Sequence, residues 1–101
     1  MYSINFEWDK QKDFRNQRKH GVSFMEAASV FYDEESVIFD DPDHSVEEER
    51  FLIIGFSKSA RLLTVVYCLR NSESNIRIVS ARKATGKEAL DYQQIKKGWQ
   101  S

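Results

Sequence analysis

Three strand-forming runs follow one another in the second half of the chain with almost nothing between them. Residues 50–56, 61–69 and 76–83 are apolar and rich in β-branched side chains. Only Ser57-Lys58-Ser59-Ala60 and Asn71-Ser72-Glu73-Ser74-Asn75 separate them. Connections that short hold consecutive strands antiparallel, so this stretch predicts a three-stranded meander. The first run is apolar nearly throughout, which predicts cover on both faces. Upstream, Asn5-Phe6-Glu7-Trp8 reads as a short strand. Asp9 is a good N-cap for a polar helix over 10–19, ended by Gly21 in the left-handed conformation. Phe14 is that helix's clear apolar residue and is expected to pin it. Ser23 with Glu26 forms a capping box for a second helix from about Phe24 to Tyr32, with Phe24, Ala27, Ala28 and Phe31 on its inner face. Residues 36–39 form a brief strand, and 40–46 a polar loop. Thr85 caps a last helix to about Lys97, with Leu90 and Ile95 facing inward. The expected fold is one α+β domain over 1–101, a central antiparallel sheet with helices packed on it, in the order β-α-α-β-β-β-β-α.

The last strand ends in two cations. Plain alternation sends Ile76, Ile78 and Ser80 to one face and Arg77, Val79 and Ala81 to the other. Arg82 and Lys83 then fall at the strand end, where side chains leave the sheet. An arginine and a lysine fixed on a rigid element suit a phosphate: the guanidinium binds two oxygens, and the ammonium adds a point charge. The plain alternative is a solvated strand end.

Charge is unevenly spread. The net charge is −1, which by itself argues against binding nucleic acid. Between Asp33 and Glu49 there are nine acids and no Lys or Arg. From Arg50 to Ser101 there are ten cations and three acids, 10 − 3 = +7; from Asp9 to His20, five cations and two acids, 5 − 2 = +3. If the fold joins the two basic segments, they make a positive face despite the overall sign. The acidic stretch would repel nucleic acid or attract a basic partner.

Other chemistries find little support. No apolar run approaches the ~20 residues that span a bilayer, and the first residues lack the pattern of a signal peptide. The expected location is cytoplasmic. The lone Cys68 sits in an apolar run and reads as core. His20 and His44 have no partner at metal-ligand spacing, so no metal and no cofactor are expected. What remains is cationic: Lys19, Arg50, Arg61, Arg77, Arg82 and Lys83, with His20, His44 and carboxylates as proton carriers. Such a set can cleave RNA without a metal. The ribose 2′-hydroxyl attacks its own phosphate, a base takes the proton, cations stabilise the phosphorane, and an acid protonates the leaving 5′-oxygen. Each residue also has a plain alternative role: His20 as a cap of its helix, favoured there by the dipole, and Arg61 as the partner of a carboxylate.

Five blocks then carry a resemblance. Phe6-Glu7-Trp8-Asp9, Lys19-His20-Gly21-Val22-Ser23-Phe24-Met25-Glu26-Ala27, Asp41-Pro42-Asp43-His44-Ser45, Glu48-Glu49-Arg50-Phe51 and Ile78-Val79-Ser80-Ala81-Arg82-Lys83-Ala84 resemble the BrnT family of toxins, in its order and spacing, from about Tyr2 to Tyr92. The resemblance implies a ribonuclease toxin of a type II toxin–antitoxin module with a RelE-like fold. It implies a tight complex, a heterotetramer, with a BrnA-like antitoxin whose ribbon-helix-helix domain binds operator DNA, so that the toxin meets DNA only through its partner. Carried onto this chain, the active-site candidates are Arg82, Lys83, His20 and Arg61, with Lys19 and Arg77 binding the RNA substrate. An antitoxin is expected to cover exposed aromatics among Trp8, Phe14, Phe31, Tyr32 and Trp99. The competing readings are a non-catalytic module acting only in a repressor complex and a nucleic-acid-binding domain without chemistry.

Overall fold

The computed structural model describes residues 3–42 and 49–100, the last five as backbone only. Five strands and three helices follow in chain order: β1 (Asn5–Glu7), α1 (Lys10–His20), α2 (Phe24–Ser29), β2 (Val37–Asp40), β3 (Arg50–Phe56), β4 (Leu62–Arg70), β5 (Ser72–Lys83) and α3 (Gly86–Gln100), with a turn of 3-10 helix at Val30–Tyr32. The strands lie in one sheet in the order β1-β5-β4-β3-β2. The β3-β4-β5 meander is antiparallel, as is β2 on β3. The sheet as a whole is mixed, because β1 adds to β5 in parallel. Only local turns were visible in the sequence, and β1 reaches β5 across the 64 residues of chain between Glu7 and Ser72.

Two cores sandwich the sheet. On one face α1 and α2 enclose Val22, Phe24, Ala27, Val30, Ile53, Leu63, Val65, Ile76, Ile78 and Ala81. On the other, α3 covers a smaller cluster of Val37, Ile54 and Tyr92, flanked by Phe39, Leu62, Ala84 and Ile95. Adjacent Ile53 and Ile54 thus bury on opposite faces, and the middle of β3 is covered on both sides. Leu90 does not face inward; it is 54% exposed. Tyr92 takes that place. Its hydroxyl donates to Asp33 Oδ2 at 2.8 Å, and the same oxygen accepts from the Phe56 amide at 2.8 Å. Burial, then the Asp33 carboxylate, push the Tyr92 phenol far above its ordinary pKa, so it remains a donor.

The first helix starts where the sequence places it. Asp9 accepts from the Gln11 and Lys12 amides, and Gly21, at φ 69°, closes the end with its N–H on Gln17 O. Phe14 does not pin this helix: it is 68% exposed. Asn16 does. Its Nδ2 donates to Val22 O and Ala81 O, both at 2.8 Å, and its Oδ1 accepts from the Ala81 amide at 3.1 Å. Beyond its three-residue pairing with β1, β5 has an outer edge with no strand beside it. The Asn16 amide stands in for one, supplying a donor and an acceptor.

Two features of β5 differ from the sequence reading. The expected five-residue loop at 71–75 is a tight turn, with Asn71 at φ 68° and Arg70 opposite Ser72. Asparagine tolerates that conformation, so β5 starts early. Further along, Tyr67 pairs with Ile78 but Val66 with Ser80. Val79 is the extra residue of a β-bulge. The bulge shifts the phase, so Ala81 joins Ile76 and Ile78 in the same core instead of facing away.

Candidate functional site

The bulge and α1 together make a groove. Lys12, Arg15, Asn16 and Lys19 fall on one helix face by their i, i+3, i+4, i+7 spacing. That face lies over β5, and an open groove of about 310 Å³ runs between them, lined by Lys12, Arg15, Asn16, Lys19, His20, Val79 and Ser80. Asn16 anchors its floor. The two basic segments of the sequence do meet where α1 packs on β5, but every cation lining the groove comes from α1; β5 contributes Val79 and Ser80. Among the described residues, none of Lys12, Arg15, Lys19 and His20 takes part in an ion pair. Three cations and an imidazole on one wall, with the Asp9 carboxylate near enough to Lys12 and Arg15 that, after the Lys12 and Gln11 amides, they help hold it below its ordinary pKa, make a surface suited to a polyanion.

The arginines singled out from the sequence are placed differently. Each is held by a carboxylate. Arg61 sits at the entrance of β4, where its Nε donates to Glu26 Oε2 at 2.9 Å and its Nη2 donates to Glu26 Oε1 and, at 2.9 Å, to Gly21 O. The Ser57 hydroxyl donates to the same Glu26 Oε2 at 2.7 Å. Arg82 makes a two-pronged contact with Glu88, Nη1 to Oε1 at 2.7 Å and Nη2 to Oε2 at 2.9 Å. Thr64 Oγ1 and the Thr85 amide also donate to Glu88 Oε1. Arg77 pairs with Glu7 on β1 at 2.9 Å. It lies five residues before Arg82, roughly 16 Å along the strand, so the structure does not bring it to the sheet end.

Both clamping glutamates occupy the same local position, three residues after a helix N-cap. Ser23 Oγ accepts from the Glu26 amide and Thr85 Oγ1 from the Glu88 amide. In α3 the box closes, since Glu88 also accepts from the Thr85 amide. In α2 the box expected from the sequence is half made: Glu26 turns its carboxylate to Arg61 and Ser57 instead. The guanidiniums hold both carboxyls down, Arg61 acting on Glu26 and Arg82 on Glu88, which falls to about 2. The arginines keep some free donors. Arg61 has its Nη1 group left, and Arg82 its Nε–H. Their side chains are 34% and 39% exposed.

Lys83 follows Arg82 and pairs with Leu63 in the register. It is exposed on the α1 side of the sheet, whereas Arg82 turns to α3. His20 stands at the end of α1, next to the Gly21 carbonyl that Arg61 holds. His44 lies outside the described residues, as does most of the 40–46 loop. Cys68 is buried at 1% exposure. Among the described residues no group of three or more His, Cys, Asp and Glu could hold a metal ion, and no helix is long and apolar enough to cross a membrane. Lys12 and Arg15 were missed as individuals. Their signal was the helical spacing with Lys19, which needed the docking face of α1 to be known.

The depressed Glu88 carboxyl has a measurable consequence. A group whose folded pKa lies below its unfolded value contributes stability above the unfolded pKa and loses it as pH falls through the folded one. Glu88 should therefore stabilise the fold fully above about pH 4.5 and progressively less towards about pH 2. In Glu88→Gln this part of the acid-unfolding curve should flatten. Chemical denaturation at stepped pH measures it, and equal slopes in both proteins would exclude the role.

Fold and groove together define a small α+β protein with a cation-lined groove beside its sheet. The comparisons narrow this class. The chain belongs to the BrnT family: the family's sequence profile, described as ribonuclease toxin, BrnT, of type II toxin-antitoxin system, matches residues 8–88. The structure is similar to the crystal structure of the Brucella abortus ribonuclease toxin BrnT, with a TM-score of 0.58 and 20% sequence identity over 84% of this chain and 99% of that one. That likeness speaks to the fold. No curated protein matches the sequence.

Proposed function

We propose that this chain is a RelE-like endoribonuclease that cleaves RNA without a metal and is held in check by a BrnA-like antitoxin. The observation that carries the proposal is the groove over the bulged β5, where Lys12, Arg15, Lys19 and His20 line one opening. In this reading the RNA backbone lies along α1, with Lys19 and its neighbours on the phosphates. The 2′-hydroxyl attacks the adjacent phosphorus, forming the 2′,3′-cyclic phosphate and expelling the 5′-oxygen. His20 carries a proton in this exchange, the task imidazole suits near neutral pH. Lys83 and Arg61 stabilise charge on the phosphorane from the α1 side of the sheet end, and Arg82, paired with Glu88 on the α3 side, does so by reaching round the strand end with its free donor. Arg77, tied to Glu7, would touch substrate only further along the strand. The antitoxin binds tightly, in a heterotetramer, and links the toxin to operator DNA and to the cytoplasm where both act.

The exposed aromatics support a partner in part. Phe14 and Tyr32 are 68% and 65% exposed; Trp8 and Phe31 pack against the core, and the Trp99 side chain lies outside the described residues. The direct test is inducible expression with and without the neighbouring reading frame, followed by growth and RNA integrity. Wild-type chain alone should stop growth and degrade RNA, and co-expression should restore both. His20→Gln should lower cleavage by about 10²-fold or more, the typical worth of a proton-transfer group. Intact RNA and normal growth with the folded chain expressed alone would reject the enzyme and favour a non-catalytic repressor component.

A further inference from the structure

We propose that the free edge of β2 is a docking site where a basic, extended segment of a protein partner adds a sixth strand. The register determines which backbone groups are on offer. The Asp41 amide donates to Arg50 O at 3.0 Å, so the hydrogen-bonded pairs with β3 are Asp41 with Arg50, Phe39 with Leu52 and Val37 with Ile54. Pairs alternate in an antiparallel ladder, so Ile38 and Asp40 point their N–H and C=O groups away from β3, off the sheet. Among the described residues β2 is the last strand on this side. The opposite side is closed, by β1 and then by Asn16.

Exposed edges are usually blunted by short length, charge, proline, bulges or a covering element. β2 is short and carries Asp40 with Pro42 just beyond it, but its pairing with β3 is regular, without a bulge, and its Ile38 side chain is 57% exposed. The surrounding charge selects the partner. Glu34, Asp40 and Glu49 are exposed around the strand, with Arg50 lining the same opening as Asp40 and Glu49, so acids outnumber the cation beside this edge. Such a frame repels nucleic acid and attracts a cationic chain. An arriving strand with lysines or arginines gains main-chain hydrogen bonds at Ile38 and Asp40 and charge pairing beside them. Pro42 lacks an N–H, which ends the run and limits the added strand to about four residues.

The inference rests on the antitoxin reading for its partner, so the probe is the antitoxin encoded by the neighbouring frame, purified with the full chain. Ile38→Pro removes an outward N–H that the β2–β3 ladder does not use, and Ile38→Val keeps it. Ile38→Pro should weaken the complex by about tenfold or more, in line with losing a buried main-chain hydrogen bond, while Ile38→Val should bind like wild type. If the proline variant does not fold, Asp40→Lys decides: its exposed side chain should weaken a basic partner, and more at low salt than at high salt. Wild-type affinity in Ile38→Pro, or in Asp40→Lys where that variant decides, overturns the edge while leaving the antitoxin reading intact. No complex with the wild-type chain overturns both. A wild-type chain that dimerises alone, and a monomeric Ile38→Pro, would give the edge to a second copy and overturn the partner.

Discussion

Arg82→Ala is expected to abolish growth inhibition while leaving a folded chain that still binds its antitoxin. A guanidinium at the sheet end meets the crowded, doubly charged phosphorane more strongly than the ground-state diester, which is the condition for catalysis. Loss of one such donor typically costs on the order of 10²–10³-fold in rate. The fold should survive because Glu88 is not abandoned: Thr64 Oγ1 and the Thr85 amide still donate to it. Arg82→Lys should rescue little, since an ammonium cannot span both Glu88 oxygens and also offer a donor to substrate. Growth and RNA integrity report the chemistry, and circular dichroism with antitoxin pull-down reports the fold. Full toxicity in Arg82→Ala would move the active site away from the sheet end. An unfolded variant would make Arg82 a structural ion-pair partner only.

Asn16→Ala should unfold the domain far more easily than any surface change on α1. Three groups lose their partner at once: Val22 O, Ala81 O and the Ala81 N–H. Each buried polar group left unpaired costs about 1–3 kcal/mol, so the sum is at least ~3 kcal/mol before any water enters. Against a typical domain stability of about 5–15 kcal/mol this is a large share. Asn16→Asp is no remedy, because it keeps the acceptor for the Ala81 amide but sets a carboxylate against two carbonyls. Urea denaturation of wild type and variant at one pH gives the difference. A loss under about 1 kcal/mol would mean that α1 docks by other contacts. For comparison, Phe14→Ala, on the exposed face, should stay within about half a kcal/mol of wild type.

The parts of this molecule that depend on neighbours in sequence were legible. Asp9, Gly21, Ser23 and Thr85 mark helix ends through contacts within four residues, and the short loops dictate the meander. What depends on distant chain was not. The parallel β1 needed a partner some 70 residues away. α1 has little apolar surface, so a search for its core face settled on Phe14, while the docking residue was an asparagine complementing a strand edge. Among the candidate site residues, His20, Lys19, Arg82 and Lys83 were singled out by type and position. Their states were not: a carboxylate partner such as Glu26 for Arg61, 35 residues away, leaves no mark in composition. Glu88 was the exception within reach, since Thr85-Gly86-Lys87-Glu88 is itself a capping-box pattern six residues past Arg82.

The single extra residue at Val79 has a consequence for how this chain can change over time. A bulge absorbs one residue without moving its neighbours' partners: Ser80 lies opposite Val66, Ala81 opposite Val65 and Arg82 opposite Thr64. A lineage that lost Val79 would lose the bulge with it and restore plain alternation, with Ala81 still on the α1 side and the guanidinium still beside Glu88. In this segment the cross-strand partners, and not the count of residues, hold each side chain to its face.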